Sequence, residues 1–492
     1  MTEMKNLVST GIEGLDFILN GGVPKGKIYL VTGPSGSGKT TCSLQFLIEG
    51  ARNGERSLYI GTSETEEEIK EIASSHDWDI SGISIHHDGG STYEKHGPEQ
   101  TMLHPAELEL PRTVENIMKI VDEEKPNRLV LDSLTEIKLL SKEGNWFRDQ
   151  MMTLRKHFIE KRCTVFLTDL MIDEQPVLRS IVNGVIELDF IPPVYGPDRR
   201  YIRIPKIRGH TYSTGKHDMK ISKGGLMVFP RLVAAEHRHR FIPETLTTGI
   251  EKLDQLLGGG LDKGTSTLLI GPTGMGKSVL STQIAVSNAK KGIKSAMFIF
   301  DERVQTLFQR AETLGLELEK YHDAGMVEVR QIDPAELTPG EFTQIVMDAG
   351  DNGAKIVIID SLNGFSYAMP EERLLSLHLH ELLSYLNQKG ITSLHVMTQH
   401  GFLGSIQPTF EVSYIADTVI LLKPVEDKGI LSKTISVYKR RAGPHGKTIN
   451  YFLIDPEGIF IGDPVKCYSG IIGGNPQLVT DAGKKRSKDK DE

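Results

Sequence analysis

Short apolar runs rich in β-branched residues recur along the chain, each followed by a longer segment whose apolar positions fall three and four apart. The first pattern predicts buried strands and the second amphipathic helices. In the N-terminal half a helical stretch "TCSLQFLIEGARNG" is followed by a strand "SLYIGT", a charged helix "ETEEEIKEIASS", and later the strands "RLVLDS" and "TVFLTDL". In the C-terminal half the same order reads "VLSTQIAVSNAKKG", "SAMFIF", "DERVQTLFQRAETLG", "KIVIIDS" and "SLHVMTQ". Apolar strands alternating with helices imply parallel sheets closed by crossover helices, so the fold class is α/β. The strand-rich end of each half, such as "ADTVILLKP", "KTISVYKRR" and "NYFLI", predicts antiparallel additions to the sheet.

The two halves are a repeat. "TGIEGLDFILNGGVPKGKIYLVTGPSGSGKT" from Thr10 aligns without a gap on "TGIEKLDQLLGGGLDKGTSTLLIGPTGMGKS" from Thr248, an offset of 238 residues. The expected organisation is a first domain over 1–235, a second over 236–470, and a disordered tail over 471–492. The changeover falls within about 227–247, around "EHRHRFIPET".

Each half carries one GxxxxGK[ST] loop between a strand and a helix. Glycines let successive backbone N–H groups turn toward a phosphate, and the helix N-terminus adds partial positive charge. A lysine reaches the outer phosphates, and the hydroxyl after it ligates magnesium. The first loop offers Gly33, Ser35, Gly36, Ser37, Gly38, Lys39, Thr40 and Thr41. The second offers Gly271, Thr273, Gly274, Met275, Gly276, Lys277, Ser278 and Val279. A Gly-rich turn without a ligand is the alternative, and the repetition of the loop in register argues against it.

Asp132 and Asp360 close apolar strands, where a carboxylate completes a magnesium site with Thr40 and Ser278. A strand-ending Asp can also cap a turn. Hydrolysis needs a further carboxylate near the γ-phosphate, at the end of the strand after the loop's helix. Glu64, beside Ser63, occupies that place in the first half, and Asp301 and Glu302 occupy it in the second. Glu66, Glu67 and Glu68 fit a different role, favouring a helix N-terminus.

Composition narrows the class. The 492 residues are 38% hydrophobic and 25% charged, as in soluble globular proteins, and no apolar run suits a membrane span. "MTEMKNLVSTG" lacks a signal-peptide pattern, so a cytoplasmic location is expected. The net charge of −8 argues against a large nucleic-acid surface. Cys42, Cys163 and Cys467 stand far apart, so buried thiols are expected rather than disulfides or zinc. His86, His87, His96 and His104 match no ligand spacing and read as a solvated loop. "KKRSKDKDE" at the end mixes both signs and reads as a disordered end.

The doubled "TGIExLD…GG…KG…GPxGxGK[ST]" resembles the KaiC family, double-domain members of the RecA superfamily, over the chain up to about residue 470. The resemblance implies two tandem RecA-like P-loop NTPase domains, each a mainly parallel sheet flanked by helices. It also implies a homo-hexameric double ring with ATP, as the magnesium complex, between neighbouring subunits. In that family the first domain is a slow ATPase and the second an autokinase. The family's paired glutamates look like Ser63 with Glu64 and Asp301 with Glu302, each pair departing at one member. Its Lys-x-Arg motif, which reaches a neighbour's γ-phosphate, matches Lys206 with Arg208 and Lys439 with Arg441. Its adjacent Ser-Thr acceptors look like Ser413 and Tyr414. The matching stretch of the first half, "IVNGVIELDF", offers no hydroxyl, so hydrolysis is expected in one domain and phosphoryl transfer in the other.

Three functions are thus in view. The first is a KaiC-like ATPase that phosphorylates itself at Ser413. The second is a nucleotide-gated scaffold whose state a regulatory protein partner reads. The third is a RecA-like DNA-remodelling ATPase, which would need basic channel loops and salt-dependent DNA binding.

Overall fold

The computed structural model describes residues 6–87, 105–139, 144–170, 176–192, 197–237, 241–333, 335–367, 375–399, 416–427, 429–466, 468–471 and 477–478. Ser413, Tyr414, Cys467 and nearly all of the 471–492 tail lie outside them. The chain divides into two compact units between Arg231 and Leu232. The turn Ala234–His237 belongs with the second unit: the Ala234 N–H donates to Glu381 at 2.9 Å, and the His237 ring stands edge-on to Tyr385.

The first unit is built on a nine-stranded sheet. Its strands are β1 (Ile28–Gly33), β2 (Ser57–Gly61), β3 (Ile83–His87), β4 (Arg128–Asp132), β5 (Thr164–Leu170), β6 (Gly184–Ile191), β7 (Arg199–Ile207), β8 (Lys216–Ser222) and β9 (Gly225–Phe229). Their order across the sheet is β3-β2-β4-β5-β1-β6-β7-β8-β9. The strands from β3 to β6 in that order are parallel, and β7, β8 and β9 continue antiparallel.

The second unit repeats this permutation. Its strands are β10 (Ser266–Gly271), β11 (Ser295–Ile299), β12 (Val327–Gln331), β13 (Ile356–Asp360), β14 (Thr392–Thr398), β15 (Thr418–Asp427), β16 (Ile430–Arg440), β17 (Asn450–Asp455) and β18 (Gly458–Pro464). They lie in the order β12-β11-β13-β14-β10-β15-β16-β17-β18. The antiparallel part is β16 to β18, where the strand-rich end of the sequence predicts it.

The loop-bearing strands β1 and β10 are central, and every residue of both is buried. Helices cover both sheet faces, so each unit has one apolar cluster per face, which is why the parallel strands read as continuous apolar runs. The stacked rings of Phe46 and Phe166, with centroids 4.0 Å apart, fasten the first loop's helix to the sheet.

The repeated "TGIExLD" is a turn lock. Asp16 Oδ1 accepts from the Thr10 N–H and hydroxyl, both at 2.8 Å, and Oδ2 from Ser9 at 2.6 Å. Asp254 does the same for Thr248 and Thr247. An Asp with two oxygens and a short stem suits this task.

Candidate nucleotide sites

Both loops run from the C-terminal end of a central strand straight into a helix, Lys39–Arg52 in the first unit and Lys277–Ala289 in the second. Gly38 and Gly276, at φ 102° and 96°, make the entry turn in a region that L side chains avoid. Neither helix has a side-chain cap, so its first N–H groups remain for an anion. Ligands of such sheets bind at this edge, beyond the strand carboxyl ends.

In the first site Lys39 folds back over the loop, its Nζ donating to the Gly33 and Pro34 carbonyls at 2.9 Å. Burial lowers its pKa, against the opposing pull of Asp132, Asp169 and Glu64. The Thr40 hydroxyl donates to Asp132 Oδ2 at 2.9 Å, so the expected hydroxyl and carboxylate meet across 92 residues of sequence. Asp132 is held further by the Tyr59 hydroxyl at 2.9 Å and by Thr168 at 2.5 Å. Glu64 accepts from Ser63 at 3.0 Å, and burial, helped by Asp132, raises its pKa. Glu66 to Glu68 open the helix Glu66–Ser75, where Thr65 and Glu68 form a capping box.

In the second site Lys277 makes the same bonds, to the Gly271 and Pro272 carbonyls at 2.8 Å. It is more deeply placed: burial lowers its pKa to about 8 despite Asp360 and Asp301. Burial raises the Asp360 carboxyl to about 6, opposed by a hydrogen bond with Ser278 and reinforced by Glu302 and Asp301. The two strand-end acids are both engaged. Asp301 Oδ2 accepts from Ser361 at 2.5 Å, and Glu302 is gripped by Arg310 through two bonds of 2.6 and 2.7 Å. The loop, these acids and Lys433 line a cavity of about 550 Å³.

The two Lys-x-Arg pairs lie away from the loops of their own units. Lys206 is opposite Val185, whose neighbour in turn is Leu30, so it sits toward the N-terminal end of β1 and away from its own loop. Its Nζ donates to the Arg179 and Val182 carbonyls, and Arg208 donates to the Ser180 carbonyl at 3.0 Å. Lys439 holds the Ala416 carbonyl at 2.7 Å, and Arg441 pairs with Asp417 at 3.5 Å. The end of β7 that does approach the loop carries Arg200, which donates to the Gly36 carbonyl at 2.6 Å. Lys433 is its counterpart on β16.

One expectation about the acceptor region changes. Asn183 and Asp417 play the same part, each accepting from the first N–H of the loop-bearing strand. Counting back from them pairs Arg179 with Ser413 and Ser180 with Tyr414. The first half therefore does offer a hydroxyl at that place, just before "IVNGVIELDF", and Ser180 uses it on the Val177 carbonyl at 2.7 Å.

Sequence reasoning missed Tyr59, Thr168, Arg200, Arg310 and Ser361. Their signal is faint: Tyr59 and Thr168 sit inside apolar strands, and Arg310 lies on the helix Val304–Thr313, which begins two residues after Glu302. Cys42 and Cys163 are buried, and burial pushes the Cys42 thiol up to about 12. His86 lies 3.2 Å from Glu124, and His87 Nδ1 lies 3.0 Å from the Glu64 carbonyl. Among the described residues no cluster of three or more His, Cys, Asp or Glu could hold a metal, and no helix is long and apolar enough to cross a membrane.

Two α/β units with one strand permutation and one phosphate loop each define a tandem RecA-like P-loop NTPase. The family model "ATPase: KaiC" matches residues 8–233 and again 246–466. The chain belongs to the KaiC ATPase family, and ATP is its expected ligand. It is 29% identical to "Circadian clock oscillator protein KaiC" of Parathermosynechococcus lividus over 486 residues, 96% of this chain and 88% of that protein. It is 27% identical to the protein of the same name from Synechococcus elongatus, covering 96% and 92%. "Circadian clock protein KaiC3" of a Synechocystis strain is 28% identical, with 95% and 94% covered.

Proposed function

We propose that the chain is a ring-forming ATPase of the KaiC kind, a homo-hexamer with ATP between subunits, that hydrolyses ATP and phosphorylates itself at Ser413. The observation that carries this reading is the position of the two Lys-x-Arg pairs. They stand at the sheet end opposite their own loops, so they complete a nucleotide site only on a neighbouring copy. Lys439 holds the Ala416 carbonyl at that same sheet end.

Magnesium fits the donors present. A hydroxyl beside one carboxylate, with phosphates and water for the rest, suits an ion that keeps most of its waters. Thr40 with Asp132 and Ser278 with Asp360 would hold it, and bound there it would neutralise charge on the β- and γ-phosphates. Lys39 and Lys277 bind the outer phosphates by leaving their carbonyl partners. In the first site Glu64 accepts a proton from the attacking water. In the second, the Ser413 oxygen of one copy bonds to the γ-phosphorus held by its neighbour. The bond from that phosphorus to the bridging oxygen breaks, ADP leaves, and Asp301 takes the hydroxyl proton. Arg208 and Arg441 of the adjoining copies spread the charge of the transferring group.

The test is incubation with magnesium and γ-labelled ATP, following released phosphate and protein-bound label together, beside Lys277→Ala. Label at Ser413 or Tyr414 that disappears in the variant is the expected result. Phosphate release with no label on the second domain would refute the autokinase.

A nucleotide-gated scaffold is the second reading, and the Arg310 clamp on Glu302 favours it, since it occupies a carboxylate that catalysis could use. ATP-dependent assembly with neither label nor appreciable turnover would establish it.

A further inference from the structure

We propose that Tyr59 and Thr168 are positioning residues that fix the first domain's metal-site carboxylate, and that the second domain's site lacks this support and holds its metal more weakly. The inference rests on the reading of both loops as magnesium–nucleotide sites.

Asp132 closes β4, and the two strands beside it, β2 and β5, each send a hydroxyl to its carboxylate. Tyr59 donates to Oδ2 at 2.9 Å and Thr168 to Oδ1 at 2.5 Å, so both oxygens are held from opposite sides. The Tyr59 ring is completely buried in the apolar cluster under the loop's helix. A phenylalanine would fill the same space. A buried phenol without a partner is unfavourable by about 1–3 kcal/mol, so the hydroxyl is tolerated there because Asp132 accepts from it.

The repeat provides an internal control. Register places Met297 where the first domain has Tyr59: Tyr59 lies opposite Val130, two residues before Asp132, and Met297 opposite Ile358, two before Asp360. Val396 lies opposite Asp360 and takes the place of Thr168, as their equivalent neighbours Val31 and Leu269 show. Neither Met297 nor Val396 carries a hydroxyl. The bond from the loop hydroxyl is common to both sites, as Thr40 to Asp132 and Ser278 to Asp360. The two flanking-strand positions beside the carboxylate thus carry hydroxyl donors in the first site and apolar side chains in the second.

Donors behind a metal-binding carboxylate fix its orientation before the ion arrives, and losing one typically lowers metal affinity about 10- to 100-fold. The first site should therefore fill with metal and nucleotide at lower free magnesium than the second. Over a range of magnesium concentration the protein would carry its nucleotide–metal complex mainly in the first domain.

The experiment uses full-length Lys277→Ala and Lys39→Ala proteins, each keeping one intact loop, with a non-hydrolysable ATP analogue. Manganese bound is counted by electron paramagnetic resonance, and nucleotide affinity is measured in chelator. Lys277→Ala protein should half-saturate at about 10-fold lower manganese than Lys39→Ala protein. Adding Tyr59→Phe or the isosteric Thr168→Val to the former should raise its half-saturation about 10-fold while metal-free nucleotide affinity stays put. Adding Val396→Thr to Lys39→Ala should move the second site the other way, which no general loss of folding can imitate. Nucleotide binding with metal dependence unmoved by Thr168→Val and Val396→Thr would overturn the proposal alone. No nucleotide binding by either protein would overturn the parent reading and this one with it.

Discussion

Glu64→Gln probes whether the first domain hydrolyses ATP through its single strand-end carboxylate. Glu64 interacts electrostatically with both Lys39 and Asp132, which places it beside the phosphate loop. A positioned general base contributes about 10²- to 10⁴-fold, or about 2.7–5.4 kcal/mol at 1.36 kcal/mol per decade. Glutamine keeps the size and one acceptor oxygen, so the lower part of that range, a loss of about 10²- to 10³-fold in kcat, is expected. The second domain sets the contrast. Glu302 can accept a proton only by giving up a charge-assisted bond to Arg310, at a cost of about 1.5–3 kcal/mol. Its side chain is 20% exposed and that of Arg310 35%, which favours the lower figure and about a tenfold handicap. Glu302→Gln should thus slow the second site less than tenfold, with Asp301→Asn the larger effect. Steady-state phosphate release from Lys277→Ala and Lys39→Ala proteins separates the two sites. Unchanged release in Glu64→Gln, or an equally large loss in Glu302→Gln, would refute this assignment.

Three further outcomes follow from the same geometry. Lys277 has its pKa lowered to about 8 by burial, and bound phosphate would raise it again, so nucleotide binding there takes up a proton above pH 8. Affinity of the second site should fall toward tenfold per pH unit from pH 8 upward and level out below pH 7, by calorimetry in buffers of different ionisation enthalpy; constant affinity to pH 9.5 would contradict it. Mixing Arg208→Ala with Lys39→Ala subunits should restore first-domain hydrolysis above either alone, because some interfaces then pair an intact loop with an intact arginine; no recovery means that Arg208 does not act across copies. Arg128 is 2% exposed and bonds Glu55 and the Ser9 and Phe46 carbonyls. Arg128→Met should destabilise the first domain by about 2–4 kcal/mol, the exposure of Glu55 moderating the loss. Differential scanning calorimetry would show the first-domain transition moving to lower temperature while the second-domain transition stays in place, because Arg128 lies within the first unit.

Much of this was readable from the chain. Parallel strands buried on both faces carry apolar runs through their middles, so β1, β4 and β5 announce themselves, and the loops follow from glycine spacing. Asp132 and Asp360 were legible because a carboxylate at the end of an apolar run is conspicuous. Tyr59 and Thr168 were not, since tyrosine and threonine are ordinary strand residues and their role depends on which strands lie beside β4. That adjacency is a property of the crossover order. Arg310 was hidden for a related reason: an arginine on an amphipathic helix is normally solvated, and only the helix's orientation brings it onto Glu302. The hydroxyl of Ser180 escaped notice because the two acceptor regions align through Asn183 and Asp417, which share a backbone partner but not a residue type.

The placement of the basic pairs bears on assembly. Lys206 lies opposite Val185 and Leu30, three residues short of Gly33, which at the rise of a strand sets it about 10 Å back from the start of its own loop. Its ammonium points instead to the end of the helix Pro176–Ile181, through the Arg179 and Val182 carbonyls. A cation so held cannot serve the phosphate bound by the same domain. A contact between this cation and a bound nucleotide's phosphate would join the N-terminal end of one sheet to the C-terminal end of another copy's sheet. Such a contact uses two different surfaces and is heterologous, so it either closes into a ring or runs on as a filament.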